Sequence, residues 1–226
     1  MRKLYFSIIF ALILTIGCAA SPDPNEKEWP MPVNLINNPV TIEFINVNKL
    51  SIPETALNQS LKTISHHIVG PINIGPITSV SFTITDGIVT EDQLNTIILP
   101  IRRLSGASAV TVVVLPKMPF YTRGFSTPLE DGSHLIVLYA TAIEEVANIF
   151  VGKDRVYELV LTHEMGHTLG VPRRVSHKWS ENHCTNPDCI MYPKPDSSSI
   201  LATIFSFKIH DDYCQTCRDE IKEIRK

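Results

Sequence analysis

Residues 163–167 read His-Glu-Met-Gly-His. His163 and His167 stand four apart, and on an α-helix such positions lie one above the other on one face. Two imidazoles placed that way can bind one zinc ion, and Glu164 then falls next to the water that such a metal holds. The preceding run supplies the helix. Val156, Leu159, Val160, His163 and His167 fall at helical spacing, so the face that buries apolar side chains also turns the histidines inward. Asp154 is placed to cap the start, and Gly170 and Pro172 stop the helix just past the second histidine, which predicts a helix over 154–169. A match this short also arises by chance, so the weight falls on what accompanies it.

A hydrolytic zinc centre needs three protein ligands and an open fourth position. The third ligand must come from outside the helix, and His177, His183 and His210 are the candidates after Gly170. His183 opens a run that continues with Cys184, Cys189 and Met191, and Cys214 and Cys217 come after it. These four cysteines form two close pairs, C-x4-C and C-x2-C. That spacing fits a four-thiolate zinc site, while in an exported chain the same residues can close two disulfides.

The elements that must position these groups come earlier in the chain. Ile42, Phe44 and Val47 mark a first strand from Val40. Ser51-Ile-Pro-Glu54 has the form of a capping box, succeeded by an apolar helix face of Leu57, Leu61, Ile64 and Ile68 that ends at Gly70-Pro71. Alternation of Val80, Phe82 and Ile84 predicts a strand over 78–85. Thr90-Glu-Asp-Gln93 is a second capping box, leading a helix through Leu94, Ile97, Ile98, Ile101 and Leu104 that Pro100 kinks or shortens. Val110 to Leu115 is continuously apolar, as a central strand covered on both faces would be. Residues 119–127 look irregular or edge-like, Asp131-Gly132 is a turn, and Leu135 to Tyr139 is a further strand. A short helix at about 213–225 can pack Ile221 and Ile224 inward. The fold class is α+β: a twisted mixed sheet with packed helices that delivers the histidine helix at its end.

The chain has 226 residues, enough for one domain with a sizeable core. Arg2 and Lys3 precede an apolar run from Leu4 to Ile16, too short to span a membrane and right for a signal-peptide core. Thr15-Ile16-Gly17-Cys18 resembles a bacterial lipobox, which implies cleavage after residue 17 and a lipid on Cys18. Residues 18–39, with Pro22, Pro24, Pro30, Pro32 and Pro39, read as a tether holding the domain off a membrane. The implied location is the bacterial cell envelope, at the outer membrane if the cell is Gram-negative. Loss of residues 1–17 takes the net charge from −3 to −5, which gives no hint of nucleic-acid binding.

Taken together, His163, Glu164, Gly166, His167 and Gly170, then His183, Cys184, Cys189, Met191, Cys214 and Cys217, resemble the archaemetzincins. That family of metzincin-clan zinc metallopeptidases carries HExGHxxGxxHC, then x4-CxM, then a downstream CxxC. The resemblance is specific over 163–217 and loose, in element order, over 40–160. It implies a metzincin-like domain over 40–226, divided at residue 170. The C-terminal part would be a small irregular subdomain stapled by zinc. It also implies two zinc ions per chain, one catalytic at His163, His167 and His183, and one structural at Cys184, Cys189, Cys214 and Cys217. Met191 would lie in the Met-turn beneath the first zinc. The implied activity is hydrolysis of peptide bonds, as an endopeptidase or aminopeptidase acting on peptide or protein substrates as a monomer, with Glu164 as general base.

Two departures stand out. Twelve residues separate Gly170 from His183 where the family has two, and Arg173 occupies the uninterrupted position. This reads as a ten-residue insertion that loops out and returns at His183, with His177 inside it as the rival third ligand. Met191 and Cys214 are also further apart than in the family. Arg173, Arg174, Lys178 and Trp179 of the insertion either line the cleft or form a solvated loop. Tyr192 is a weaker candidate for a transition-state donor. Residues 119–127 or the 135–139 strand are the expected edge for an extended peptide. The competing class is a non-catalytic, lipid-anchored binding or structural module, if the insertion deprives the first site of its third ligand.

Overall fold

The computed structural model describes residues 33–84, 88–117, 123–147, 151–178, 182–193 and 212–226. The leader, Cys18, Trp179 and His210 lie outside the described residues, and no described helix is long and apolar enough to cross a membrane.

Five strands make one mixed sheet: β1 (Val40–Val47), β2 (Ile72–Val80), β3 (Ala109–Leu115), β4 (Gly124–Pro128) and β5 (His134–Tyr139). Their spatial order is β2-β1-β3-β5-β4. All neighbours are parallel except β4, which runs antiparallel to β5 along one edge. Every residue of β3 and β5 is buried, as expected for strands covered on both faces. Successive side chains of a strand point to opposite faces, and the core divides accordingly. Ile42, Phe44, Val112, Val114, Ile136 and Leu138 face one layer of helices. Ile45, Val47, Val113, Leu115, Leu135 and Val137 face the other side, against Val89, Leu94 and Ile98.

The first layer holds α1 (Val33–Asn37), α2 (Glu54–Ser65) and the histidine helix, here α5 (Lys153–Thr168), which is preceded by α4 (Ala140–Val146). Small side chains let α2 approach α5 closely. Ala56 and Ser60 are buried, and the Ser60 hydroxyl donates to the Glu158 carbonyl at 3.0 Å. Thr55 donates from its hydroxyl to Asp154, which ties the start of α5 to the same helix. The buried face of α2 is therefore Ala56, Ser60 and Ile64, while Leu57 and Leu61 are half-buried on its flank.

Several sequence expectations are corrected. Ser51 does not cap α2, which starts at Glu54 with Pro53 before it and no side-chain cap. Asp154 lies inside the first turn of α5, where Gly152 is the capping position. The second strand spans 72–80, not 78–85, because Gly75 and Pro76 mask a strand that lies at the sheet edge beside β1. The Thr90 box does form: Gln93 N–H donates to Thr90 Oγ1 at 3.2 Å, and Thr90 N–H donates to Gln93 Oε1 at 3.0 Å. From this box the chain winds through one turn of α-helix, α3 (Glu91–Gln93), then a π-turn (Leu94–Ile98) and a 3-10 turn (Leu99–Ile101). Pro100, which lacks an N–H, ends it there. Residues Val33–Asn37 form α1, with Leu35 and Ile36 buried. Beyond α5 the described chain is irregular except for a 3-10 turn (Val175–His177) and α6 (Gln215–Ile224), which buries Ile221 and Ile224.

Candidate metal centre

The histidine helix is set by what lies under it. Gly166 faces Met191 and Tyr213, and a Cβ there would run into Met191 Sδ and come within 2.8 Å of Tyr213 Cε1. Tyr213 is 1% exposed, its hydroxyl donates to the Thr162 carbonyl at 2.8 Å, and its ring meets His67 edge-on. Met191, fully buried, thus fills the space beneath the helix that glycine leaves. Gly170 ends the helix in the left-handed region at φ +77°. Its N–H donates to the His167 carbonyl at 2.9 Å, and Val171 N–H donates to the Gly166 carbonyl at 3.1 Å. That satisfies the last carbonyls and turns the chain away.

Three half-buried imidazoles converge beside this turn. One nitrogen from each of His163, His167 and His183 lies within 4.8 Å of the others. The Nε2 atoms of His163 and His167 are 3.2 Å apart. Three donors about 2.0–2.1 Å from one zinc stand about 3.3 Å from each other, so this spacing suits the ion. Ring centroids of His183 are 5.1 Å from His163 and 5.2 Å from His167. Burial first, then the neighbouring His163 and His183, hold His167 well below the usual imidazole range. It is therefore neutral, the form that can ligate a metal.

Glu164 is buried beside them at 6% exposure, and burial pushes its carboxyl up to about 8. The edge strand comes close to it at a glycine: a Cβ on Gly124 would lie 3.2 Å from Glu164 Oε1 and 2.9 Å from the Val137 carbonyl oxygen. β5 is paired on both sides, by β3 and β4, so it offers no edge. β4, which overlaps the other expected segment, lies at the sheet edge, while residues 119–122 of that segment lie outside the described residues.

A second cluster of donors lies where C-terminal segments meet. Cys184, Cys189, Cys214 and Cys217 are free thiols. Cys184 Sγ and Cys214 Sγ are 3.9 Å apart, and Cys189 Sγ and Cys217 Sγ are 3.7 Å apart. A disulfide needs about 2.05 Å, whereas sulfurs sharing one tetrahedral zinc stand about 3.8 Å apart. His177 is part of this cluster and not of the first: its Nε2 is 2.9 Å from Cys184 Sγ and 3.3 Å from Cys214 Sγ. The rival third ligand is thus placed at the cysteines, and His183 with the helix histidines. Backbone bonds tie the Met191 turn to the cysteine segments. Cys184 N–H donates to the Met191 carbonyl at 2.8 Å, and Ile190 N–H donates to the Asp212 carbonyl at 3.2 Å.

Of the insertion's cationic residues, Arg173 and Arg174 donate their backbone N–H groups to the buried Glu220 at 2.9 and 3.0 Å. The Arg174 side chain pairs with Glu223. This ties Arg174 to α6 rather than to a cleft. Tyr192 donates its N–H to the Cys189 carbonyl, continuing the turn through Met191. Tyr213 and Glu220 are not singled out by the sequence, and Gly124 only as part of an edge segment. Tyr213 adjoins Cys214, and Gly124 lies within the 119–127 segment expected as an edge, but nothing in the pattern near Glu220 points to the site.

No protein-family model and no curated protein sequence matches the chain. Among solved structures, an archaemetzincin from Methanopyrus kandleri matches with a TM-score of 0.50 at 16% identity, over 82% of this chain and 95% of that one. An archaemetzincin from Archaeoglobus fulgidus complexed with malonate matches at 0.42 and 18%, over 79% and 99% of the two chains. A zinc-dependent peptidase from Methanocorpusculum labreanum matches at 0.42 and 15%, over 80% and 99%. The fold is archaemetzincin-like: a mixed five-stranded sheet with packed helices and a donor cluster near its C-terminal end.

Proposed function

We propose that this chain is a zinc-dependent peptidase with His163, His167 and His183 as metal ligands and Glu164 as general base. The observation that carries the reading is the convergence of three imidazoles beside a buried glutamate. Zinc bound there would supply Lewis acidity toward water and toward the scissile carbonyl. Glu164 would take the proton of the attacking water and pass it to the leaving amine. Its burial favours the exchange, since a carboxylate shielded from solvent holds a proton more readily than a free one. The edge strand β4 would align an extended peptide by backbone pairing, and Gly124 would let that backbone approach Glu164 without a side chain between them. Met191 and Tyr213 hold the helix from below and touch no substrate in this scheme.

The cysteine cluster would hold a second, structural zinc, so that two ions bind per chain. This metal would fix the segment that delivers His183, which directly precedes Cys184. The substrate is a peptide or protein, cleaved internally or from its N-terminus, by a monomer. Lipidation at Cys18 and a place in the cell envelope remain part of the proposal on the strength of the N-terminal sequence. The non-catalytic alternative needed a missing third ligand, and the position of His183 counts against it. The test is a peptide-library assay with and without chelator: cleavage that a chelator stops and zinc restores supports the reading.

A further inference from the structure

The insertion between Gly170 and His183 places an imidazole, His177, among the cysteine sulfurs. We propose that His177 is a ligand of the second metal, which is held by Cys184, Cys214, Cys217 and His177, with Cys189 outside the coordination sphere. The inference rests on the reading that this cluster binds zinc.

Distances favour this set. One donor atom from each of His177, Cys184, Cys214 and Cys217 lies within 4.8 Å of all the others, and Cys189 is not of that group. From His177 Nε2 the three sulfurs are 2.9, 3.3 and 3.9 Å away. A nitrogen and a sulfur on one tetrahedral zinc stand about 3.5 Å apart, so the three distances bracket the required value. Cys189 borders this group, with its sulfur 3.7 Å from Cys217 Sγ and accepting the Cys214 N–H at 3.2 Å, and what sets it apart is that it does not join the four donors that are all mutually close.

The ring is also oriented as a ligand would be. His177 is 8% exposed, and its Nδ1 is buried without a hydrogen bond. The nearest charge to that nitrogen is Glu220 Oε1 at 3.5 Å, on a side chain 1% exposed. A carboxylate behind the far nitrogen of a histidine is how proteins fix the tautomer and direction of a metal-binding imidazole. Glu220 is itself pinned by the Arg173 and Arg174 N–H groups at the start of the insertion. The backbone of His177 is held on both sides: its N–H donates to the Arg174 carbonyl at 2.9 Å, and its carbonyl accepts Thr185 N–H at 3.1 Å. An isolated β-bridge between Lys178 and Cys184 closes the loop behind it. The insertion therefore returns to the cluster before it presents His183 to the helix histidines.

The experiment is cadmium-113 NMR and metal-affinity titration on the full chain, on His177→Ala, on Cys189→Ser and on Glu220→Gln. Cys189→Ser should leave the sulfur-ligated cadmium resonance and its affinity as in the parent. His177→Ala should shift that resonance and weaken binding at this site, and Glu220→Gln should weaken it about 10- to 100-fold. Should His177→Ala fail to fold, the other two variants still decide. A resonance that moves on loss of Cys189 and stays on loss of His177 would overturn the assignment in favour of four thiolates. Absence of any sulfur-ligated cadmium in the parent would instead overturn the metal reading of the cluster, and this inference with it.

Discussion

The Nδ1 of His163 donates to the carbonyl oxygen of Ile190 at 2.7 Å. A carbonyl can only accept, so the proton sits on Nδ1 and the Nε2 lone pair faces His167 Nε2. Ile190 lies between Cys189 and Met191, in the turn beneath the helix. That turn thus both fills the space under Gly166 and sets the tautomer of one candidate ligand.

Gly166 tests the packing half of this arrangement. Replacing it with alanine in mid-helix would gain about 1 kcal/mol of helix propensity, but the added methyl meets Met191 and Tyr213. Overpacking of a filled core costs about 1–3 kcal/mol, so Gly166→Ala should melt below the parent and bind zinc more weakly. A variant that melts at or above the parent would show that the turn yields freely.

Gly124 tests the closeness of the edge strand to the base. A methyl there meets the Val137 carbonyl, Val160 and Glu164 together. Gly124→Ala should keep its zinc and lose roughly 10- to 100-fold in kcat/KM, the scale of a misplaced reacting group. Unchanged kcat/KM would separate β4 from substrate binding.

Much of this was legible in the sequence, for identifiable reasons. The central strands β3 and β5 are apolar throughout because both faces are covered, and such runs stand out. The helix of His163 and His167 declares itself by period and by Gly170. What escaped was non-local. Strand β2 hides behind Gly75 and Pro76, tolerable only at a sheet edge. The packing face of α2 runs through Ala56 and Ser60, where close helix approach overrides apolarity. His177 could be recognised as a possible ligand from its type, but its placement at the cysteines depends on how the insertion folds back through Glu220.

His134 gives a pH prediction remote from the donor clusters. It is 5% exposed, its Nδ1 has no hydrogen bond, and burial lowers it from 6.5 to about 4. The unfolded chain then binds more protons than the folded one between these values, so stability is lost as pH falls from 6.5 toward 4. The size is about 3 kcal/mol. His134→Leu should remove this slope, seen as unfolding free energies of parent and variant that converge, or cross in the variant's favour, on acidification from about pH 7.5 to about 4.5. Parallel curves would mean that the ring is solvated.

The central claim is that Glu164 acts as base beside a metal held by three histidines. The direct measurement is peptide cleavage by the parent and by Glu164→Gln, each with its zinc content determined. The account predicts equal zinc at the histidine site, chelator-sensitive cleavage by the parent, and a loss of about 100- to 10,000-fold in the variant. Cleavage by Glu164→Gln at the parental rate, with zinc retained, would contradict it.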